Sequence, residues 1–393
     1  MDKIIFTEEF CQPENLQPFT LTRQIQDIRV GILTIREKWE LMLGLPSFDK
    51  KEDDYKDLDR SVNISDAAAD GGICYMIHGN VLPTRKLVKA IKKLQNGEFL
   101  SVKGRDGIVF RFTKDEIKEK HKIRIKKAVT VREEVTAIQF PWNIFQLNDQ
   151  AIREDFELLT RKRKSQPISK TNKVTKPSEI FIEKGVKMEH CILNASTGPI
   201  YIGKNAEVME GSMIRGPFAM GEGSLLKMGT KVYGATTLGP CCAVGGEIKN
   251  SVLFGYSNKA HDGYLGDSVI GEWCNLGAGT TNSNLKNNAG EVRVWIPTGE
   301  MEAGKKCGVM MGDYSRTAIN TAINTGTIIG ACCNVFGNGL TPKFIPSFSW
   351  GSEGVKRYEL DKAYTDIEAW KQLKKQVLSD KERNILKYIF EKF

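Results

Sequence analysis

The stretch that decides the fold is residues 202–244, which reads IGKNAEVMEGSMIRGPFAMGEGSLLKMGTKVYGATTLGPCCAV. Every sixth position in it is hydrophobic without a miss: Ile202, Val208, Ile214, Met220, Leu226, Val232, Leu238 and Val244. Since 40% of the chain is hydrophobic, eight such matches in a row have odds of about one in a thousand per register. A period of six fits neither a helix nor a single strand, and it indicates a hexapeptide-repeat parallel β-helix. A run of ordinary β-hairpins with turns at a similar spacing is the alternative.

The repeat extends over residues 180–345, which we predict to be a β-helix domain. The six-residue register shifts near Asn250 and then continues. A non-repetitive excursion over residues 282–306 interrupts it, and the repeat continues after that excursion. The later repeat positions are Tyr264, Ile270, Leu276, Ile323, Ile329 and Val335. Residues 346–393 have a charged, helical pattern and are predicted to form a C-terminal helical segment that packs against the coil.

The first 160 residues alternate short apolar runs with helical patterns, which predicts an α/β domain. Residues 150–159 are predicted to form a helix that closes this domain. The next segment begins RKRKSQPISKTNKVTKP from residue 161 and shows no core pattern, so residues 161–179 are predicted to be a basic linker.

Composition limits the classes of partner and compartment. The net charge of +9 comes from dispersed basic residues, which favours a small polyanionic ligand over nucleic acid. A soluble protein that happens to be basic, with no anionic ligand, is the alternative. No apolar run is long enough to span a bilayer, so no membrane association is expected. The nine cysteines are odd in number and form no CxxC pair, which predicts neither a metal site nor a disulfide framework and favours a reducing cytoplasm.

The polar stretch around His261 is the candidate site. Successive coils of a β-helix stack, so Lys249, Asn275 and Asn284 can converge on the groove that holds His261. A neutral imidazole suits removal of a proton from an amine, and lysine and amide side chains suit a phosphate and sugar hydroxyls. A structural histidine beside an aspartate is the alternative on composition alone.

Three runs in this region carry a family resemblance. They are EIK at 247–249, KAHDGYLGD at 259–267 and CNLGAGT at 274–280, followed by Asn284. They resemble the acetyltransferase domain of the bifunctional N-acetylglucosamine-1-phosphate uridylyltransferase/glucosamine-1-phosphate acetyltransferase family. The family's runs are K-A-G-H-x-x-Y-L-G-D and N-x-G-A-G-T, and the intervals between them match without a gap.

The resemblance implies a left-handed β-helix, a homotrimer with its active site between neighbouring coils, and acetyl-CoA as the donor. It implies that His261 is the catalytic base. It also implies roles for further residues: Lys249, Tyr264, Asn275 and Lys231 in binding the sugar phosphate, and Asn284, Asp313 and Ala331 in binding acetyl-CoA.

Several positions depart from the family. A tyrosine of the family is Leu285 here, a serine on the coenzyme path is Asp313, and the glycine before the histidine is Ala260. The coenzyme half of the site is therefore less well matched than the sugar half, and the acceptor need not be glucosamine-1-phosphate.

The N-terminal domain resembles a shortened, divergent sugar nucleotidyltransferase with a Rossmann-like fold. Its LQPFTLTR at 16–23 is similar to the second half of the signature G-x-G-T-R-L-x-P-L-T, but residues 8–15 contain no glycine to cradle phosphates. HGNVLP at 78–83 resembles the G-D-x-P segment, with an asparagine in place of the magnesium-binding aspartate. The resemblance gives Thr20, Arg23, Arg29 and Asn80 as nucleotide-binding candidates and Mg²⁺ as a possible cofactor.

The leading hypothesis is a sugar-phosphate transferase of nucleotide-sugar metabolism that transfers acetyl groups to an amino-sugar phosphate in the β-helix. One alternative places the main activity, uridylyl or thymidylyl transfer to a sugar-1-phosphate, in the N-terminal domain. The other is a non-catalytic β-helix protein that binds nucleotide sugars.

Overall fold

The computed structural model describes residues 1–51, 55, 60–102, 105–117, 122–132, 134–353 and 356–393. The chain forms two compact units, and each is built from separated segments. The first unit contains Met1–Pro13, Arg23–Ile28 and Leu33–Gln139. The second contains Glu14–Thr22, Arg29–Ile32 and Phe140–Phe393.

The first unit is an α/β fold around one sheet, as the sequence predicts. The strand order across the sheet is Ser61–Val62, Ser47–Lys50, Lys3–Thr7, Cys74–His78, Arg105–Phe112, Glu98–Val102 and Lys127–Val131. Lys3–Thr7 pairs in parallel with both its neighbours, whereas Cys74–His78 and Arg105–Phe112 are antiparallel. The two central strands, Lys3–Thr7 and Cys74–His78, are buried along almost their whole length, which indicates that both faces of the sheet are covered.

Helices of the first unit are short and locally encoded. They are Ile35–Leu43, Ile64–Ala68 and Arg85–Ile91, with 3-10 turns at Ile25–Asp27 and Lys114–Glu116. Ile35–Leu43 begins at a capping box in which the Thr34 hydroxyl accepts from the amide of Glu37. Trp39 of this helix is fully buried, and its indole N–H donates to the carbonyl of Val81 at 2.8 Å.

The second unit is a parallel β-helix with three faces, which confirms the fold class read from the hexad. The first face consists of Lys173–Thr175, Ile192–Asn194, Met213–Arg215, Lys231–Tyr233, Glu247–Lys249 and Tyr264–Gly266, and the pair Thr281–Asn282 and Ala322–Ile323 lies further along the coil. The second face consists of Ile180–Ile182, Ile200–Ile202, Phe218–Met220, Thr236–Leu238, Val252–Leu253, Val269–Ile270, Met310–Met311, Ile328–Ile329 and Phe344–Ile345. The third face consists of Lys187–Met188, Glu207–Val208, Leu225–Leu226, Ala243–Val244, Asn258–Lys259, Asn275–Leu276, Arg316–Thr317, Asn334–Val335 and Ser349–Trp350, and Lys356–Arg357 adds an antiparallel strand.

All eight hexad positions point into the core of this β-helix. Their side chains are at most 2% exposed, and they belong to one continuous cluster that runs along the coil. A column on the third face shows the stacking: Val208 pairs with Leu226 and Leu226 with Val244 in successive turns. One apolar residue per strand therefore fills the interior of the prism.

Two details of the repeat differ from the sequence reading. After the slip, Leu265 is the inward residue at 1% exposure, and Tyr264 points outward. The segment predicted as a linker contributes the strand Lys173–Thr175, which pairs in parallel with Ile192–Asn194. The two polar residues of this strand face outward and gave no apolar pattern, while its central Val174 packs against the core.

Helices and turns add to the β-helix. Those of the second unit are Asn143–Gln146, Asn148–Thr160, Leu360–Gln372 and Asp380–Lys392, with 3-10 turns at Phe19–Leu21 and Pro177–Glu179. A further 3-10 turn, Pro13–Leu16, begins at the last residue of a first-unit segment and continues in the second unit. Asn148–Thr160 lies in this unit, although the sequence pattern suggested that it closes the α/β domain. The predicted excursion contains an antiparallel hairpin, Arg293–Ile296 with Gly299–Glu302.

The C-terminal segment forms two helices that pack on the β-helix. The Lys371 ammonium forms an ion pair with the Glu382 carboxylate at 2.5 Å, and the Tyr314 hydroxyl donates to the same carboxylate at 2.9 Å. Lys371 also lies 5.0 Å from the ring centroid of Trp273. These contacts hold both helices against the corner between the second and third faces.

Candidate active site on the β-helix

The first face carries a ladder of outward polar side chains. Lys231, Glu247 and Tyr264 are in register in successive coils, and Tyr233 is in register with Lys249 in the next column. The Lys249 ammonium lies 5.7 Å from the ring centroid of Tyr233. The structure therefore brings three predicted substrate residues, Lys231, Lys249 and Tyr264, to one face.

Tyr233 is a further member of this ladder that the sequence did not single out. Its hydroxyl donates to the Glu247 carboxylate at 2.5 Å, and this hydrogen bond raises the pKa of Tyr233 to about 12. The phenol thus stays protonated over the physiological range, and it fixes the carboxylate beside Lys231 and Tyr264.

A buried carboxylate organises the end of the ladder. Asp267 is 4% exposed and accepts from the side-chain amides of both Asn250, at 2.7 Å, and Asn284. Asn284 also donates to the Tyr264 hydroxyl at 3.1 Å. Burial, together with the nearby negative charge of Asp267, raises the pKa of Tyr264. In the sequence, Asp267 is noticeable only as the last residue of the YLGD run. It accepts hydrogen bonds from both asparagines because successive coils stack, which the run itself does not show.

His261 lies in the corner that joins the third face to the first. The corner follows the strand Asn258–Lys259, and the imidazole is exposed three residues before Tyr264. Gly263 turns the chain at φ +124°, and a Cβ there would lie 2.1 Å from the carbonyl oxygen of Thr280 in the next coil. The amide of Gly279 donates to the carbonyl of Asp262 at 3.0 Å, so consecutive corners are joined.

Asn275 does not join this cluster within the chain. It lies on the third face, in register with Asn258 on one side and Arg316 on the other. Outward side chains on two faces of a prism diverge, so Asn275 and the Lys249 ladder point in different directions. Sequence spacing placed Asn275 in the right coil, but it did not identify the face.

Asp313 and Ala331 are also separate from the ladder, at the corner between the second and third faces. Both are buried, at 3% and 0% exposure. Asp313 accepts from the Thr22 hydroxyl at 2.6 Å and from the amide of Glu272 at 2.8 Å. The amide of Ala331 donates to the Ser347 hydroxyl, and its carbonyl accepts from the amide of Phe348. Both residues are engaged in contacts within the chain.

The nucleotide-binding candidates fall into different units. Thr20 and Arg29 belong to the β-helix unit, whereas Arg23 and Asn80 belong to the α/β unit. The Arg29 guanidinium donates to the carbonyl of Ile32, and the Asn80 amide donates to the carbonyl of Ile138 at 3.2 Å. The sequence could not reveal this division, because 16–23 reads as one continuous motif.

Two features are absent from the described residues. In that part of the chain, no group of three or more histidine, cysteine, aspartate or glutamate side chains could hold a metal ion. No helix among the same residues is long and apolar enough to cross a membrane.

Fold and site together define a two-unit protein in which an α/β unit accompanies a hexapeptide-repeat β-helix. Residues 4–164 match the family model described as sugar nucleotidyl transferase. The chain is 35% identical over 101 residues to the bifunctional protein GlmU of Methanocaldococcus jannaschii, which is 26% of this chain and 25% of that protein. It is 40% identical over 91 residues to the bifunctional sugar-1-phosphate nucleotidylyltransferase/acetyltransferase of Sulfurisphaera tokodaii, which is 23% of each chain.

A longer match involves the bifunctional protein GlmU of Synechococcus elongatus, at 23% identity over 247 residues, or 56% of this chain and 51% of that protein. These matches confirm the resemblance read from the sequence. The aligned part is about a quarter of the length of the first two relatives. The Sulfurisphaera tokodaii relative is named as a nucleotidylyltransferase and acetyltransferase, and the other two are named as bifunctional proteins.

Proposed function

We propose that the β-helix unit transfers an acetyl group from acetyl-CoA to the amine of an amino-sugar phosphate. The observation that supports this proposal is that Lys249 and Tyr264 lie on one face, that Asn284 donates to the Tyr264 hydroxyl, and that the corner before Tyr264 carries the exposed His261. A general base, cationic side chains and amide donors are what acyl transfer to a phosphorylated amino sugar requires.

In the proposed reaction, His261 takes a proton from the substrate amine as its nitrogen attacks the thioester carbonyl. The new C–N bond forms, the C–S bond breaks, and the coenzyme leaves as a thiolate that accepts the proton from the imidazole. Lys231 and Lys249 supply positive charge for the sugar phosphate, and Tyr264 orients the sugar. Asn284 supplies an amide near the acetyl group.

Further parts of the site are proposed to come from assembly and compartment. Asn275 would complete the sugar site from the third face of a neighbouring copy in a homotrimer. All nine cysteines are free thiols, which supports a reducing compartment such as the cytoplasm.

A second candidate function is sugar-1-phosphate nucleotidyl transfer by the α/β unit, favoured by the family match over residues 4–164. The residues present do not fit Mg²⁺ in the usual way. The Asn80 amide donates to a backbone carbonyl, and no described cluster offers three ligands. We therefore derive no step through a metal. Pyrophosphate release by the full chain from UTP, dTTP or GTP with a sugar-1-phosphate tests this candidate, and no release with any of the three would count against it.

The test of the main proposal measures release of the coenzyme thiol from acetyl-CoA with a panel of amino-sugar phosphates. We expect H261N to lower kcat about a hundredfold or more, because a general base contributes that much. H190N is the matched control: His190 is exposed in the equivalent corner before Ile192–Asn194 and should be dispensable. Turnover by H261N at the wild-type rate would refute the assignment. Binding of a UDP-sugar without consumption of acetyl-CoA would favour the non-catalytic alternative.

A further inference from the structure

Lys259 occupies a position in the β-helix interior that holds an aliphatic residue in the three preceding coils. It is in register with Val244, which continues the column of Val208 and Leu226, and only 1% of its surface is exposed. Burial lowers the pKa of this ammonium to about 8, against an opposing effect of Asp262. A buried ammonium costs several kcal/mol unless it is hydrogen-bonded, so its retention here needs a structural reason.

The ammonium is satisfied by two backbone carbonyls from successive corners. Lys259 Nζ donates to the carbonyl of His261 at 2.8 Å and to the carbonyl of Gly245 at 3.2 Å. Gly245 and His261 lie in corners of adjacent coils, and the amide of Gly245 donates back to the carbonyl of Lys259 at 2.7 Å. One interior side chain therefore joins the corner that carries the imidazole to the corner before it.

In two other corners of the same column, a threonine hydroxyl donates to a backbone carbonyl of its own corner. Thr230 donates to the carbonyl of Lys227 at 2.5 Å, and Thr321 donates to the carbonyl of Ala318 at 2.8 Å. The equivalent residue in the His261 corner is Gly263, which has no hydroxyl and cannot accept a side chain beside Thr280. The threonine hydroxyl bond is therefore absent from this corner. The Lys259 ammonium, which lies in the interior, supplies a donor to the corner instead.

We propose that Lys259 is a positioning residue whose side chain anchors the His261 carbonyl to the preceding coil and so fixes the corner from which the imidazole acts. Its part in catalysis rests on the acetyl transfer proposed above. Lys259 contacts the histidine backbone and is shielded from solvent, so it acts through His261 and touches no substrate. Loss of the anchor should lower kcat and leave substrate KM values nearly unchanged.

The test compares K259M with K259Q in the full chain. Methionine and glutamine have similar length, but glutamine keeps two N–H donors and methionine has none. We expect K259M to lower kcat about tenfold to a hundredfold, with KM for both substrates within about twofold. K259Q should recover most of that loss. Hydrogen exchange at the amides of residues 260–264 should accelerate in K259M and remain near wild type in K259Q.

Each outcome decides a separate point. Unchanged exchange at the corner in K259M would overturn the anchoring, whatever its activity. Faster exchange with wild-type kcat would overturn the catalytic part, and equal losses of kcat in both variants would show that charge matters instead of the donors. If the wild-type chain transfers no acetyl group, the proposed function fails, and hydrogen exchange alone decides whether Lys259 holds the corner.

Discussion

Burial of Lys259 should affect the stability of the folded protein as well as the position of the His261 corner. The pKa of this ammonium in the folded chain is about 8, below its ordinary value of 10.5. The unfolded chain therefore binds more protons between those two values, and the wild-type protein gains stability as pH rises through this window. The shift corresponds to a destabilisation of up to about 3 kcal/mol at neutral pH.

We expect K259M to be at least as stable as wild type at pH 7, since an apolar residue of similar volume removes the cost of burying the charge. The stability difference should shrink as pH rises from 8 towards 10, because wild-type Lys259 becomes neutral there. Urea denaturation of both proteins at pH 7 and pH 9.5 measures this. A difference independent of pH would mean that the ammonium is not destabilised by burial.

The YLGD run at 264–267 predicts some roles of its residues from the sequence, but it does not predict the contacts of Asp267. The YLGD run marked it for attention, and the same run gave Tyr264 correctly as an outward, polar position of the candidate site. Reading Tyr264 also as a member of the interior hexad was wrong, because the slip near Asn250 moves Leu265 inward. The contacts of Asp267 with Asn250 and Asn284 depend on coil length, which a single-sequence pattern does not supply.

At the scale of elements, each inward hexad residue should contribute as a core residue does. We expect L226A to cost about 2–5 kcal/mol of unfolding free energy, because Leu226 is fully buried and its removal leaves a cavity between Val208 and Val244. M228A is the matched control, since Met228 lies two residues on in the outer corner and is 69% exposed. Equal effects of the two substitutions in urea denaturation would contradict the interior assignment.

The elements that the sequence predicted well are those with local signals. The β-helix strands follow from the hexad. The helix Ile35–Leu43 is likewise bounded by local features of the chain, a capping box at Thr34 and Gly44 in the left-handed region at φ +73°. Glu14–Thr22 joins the β-helix unit through contacts far along the chain, which include Thr22 with Asp313 and Asn15 with Thr298. Such pairings leave no periodic pattern, and so the motif-like segment 16–23 was assigned to the α/β domain.

At the scale of the whole molecule, the positions of Asn275 and His261 predict how copies of this chain cooperate. Asn275 faces outward on the third face, while the Lys249 ladder is on the first. We expect one copy to supply Asn275 to the site that contains His261 and Lys249 of a neighbouring copy. N275A should then impair acetyl transfer even though the His261 corner is intact. Two variants, each defective in a different half of the site, should then complement one another in a mixed assembly.

Co-expression of H261N with N275A tests this directly. In a random mixture, a site that needs His261 from one copy and Asn275 from the next is intact in about a quarter of cases, so we expect about a quarter of wild-type turnover. The two variants purified separately and combined without subunit exchange provide the control, and they should show only their own residual activities. Activity in the co-expressed sample no higher than in that control would mean that Asn275 does not complete the site of a neighbouring copy.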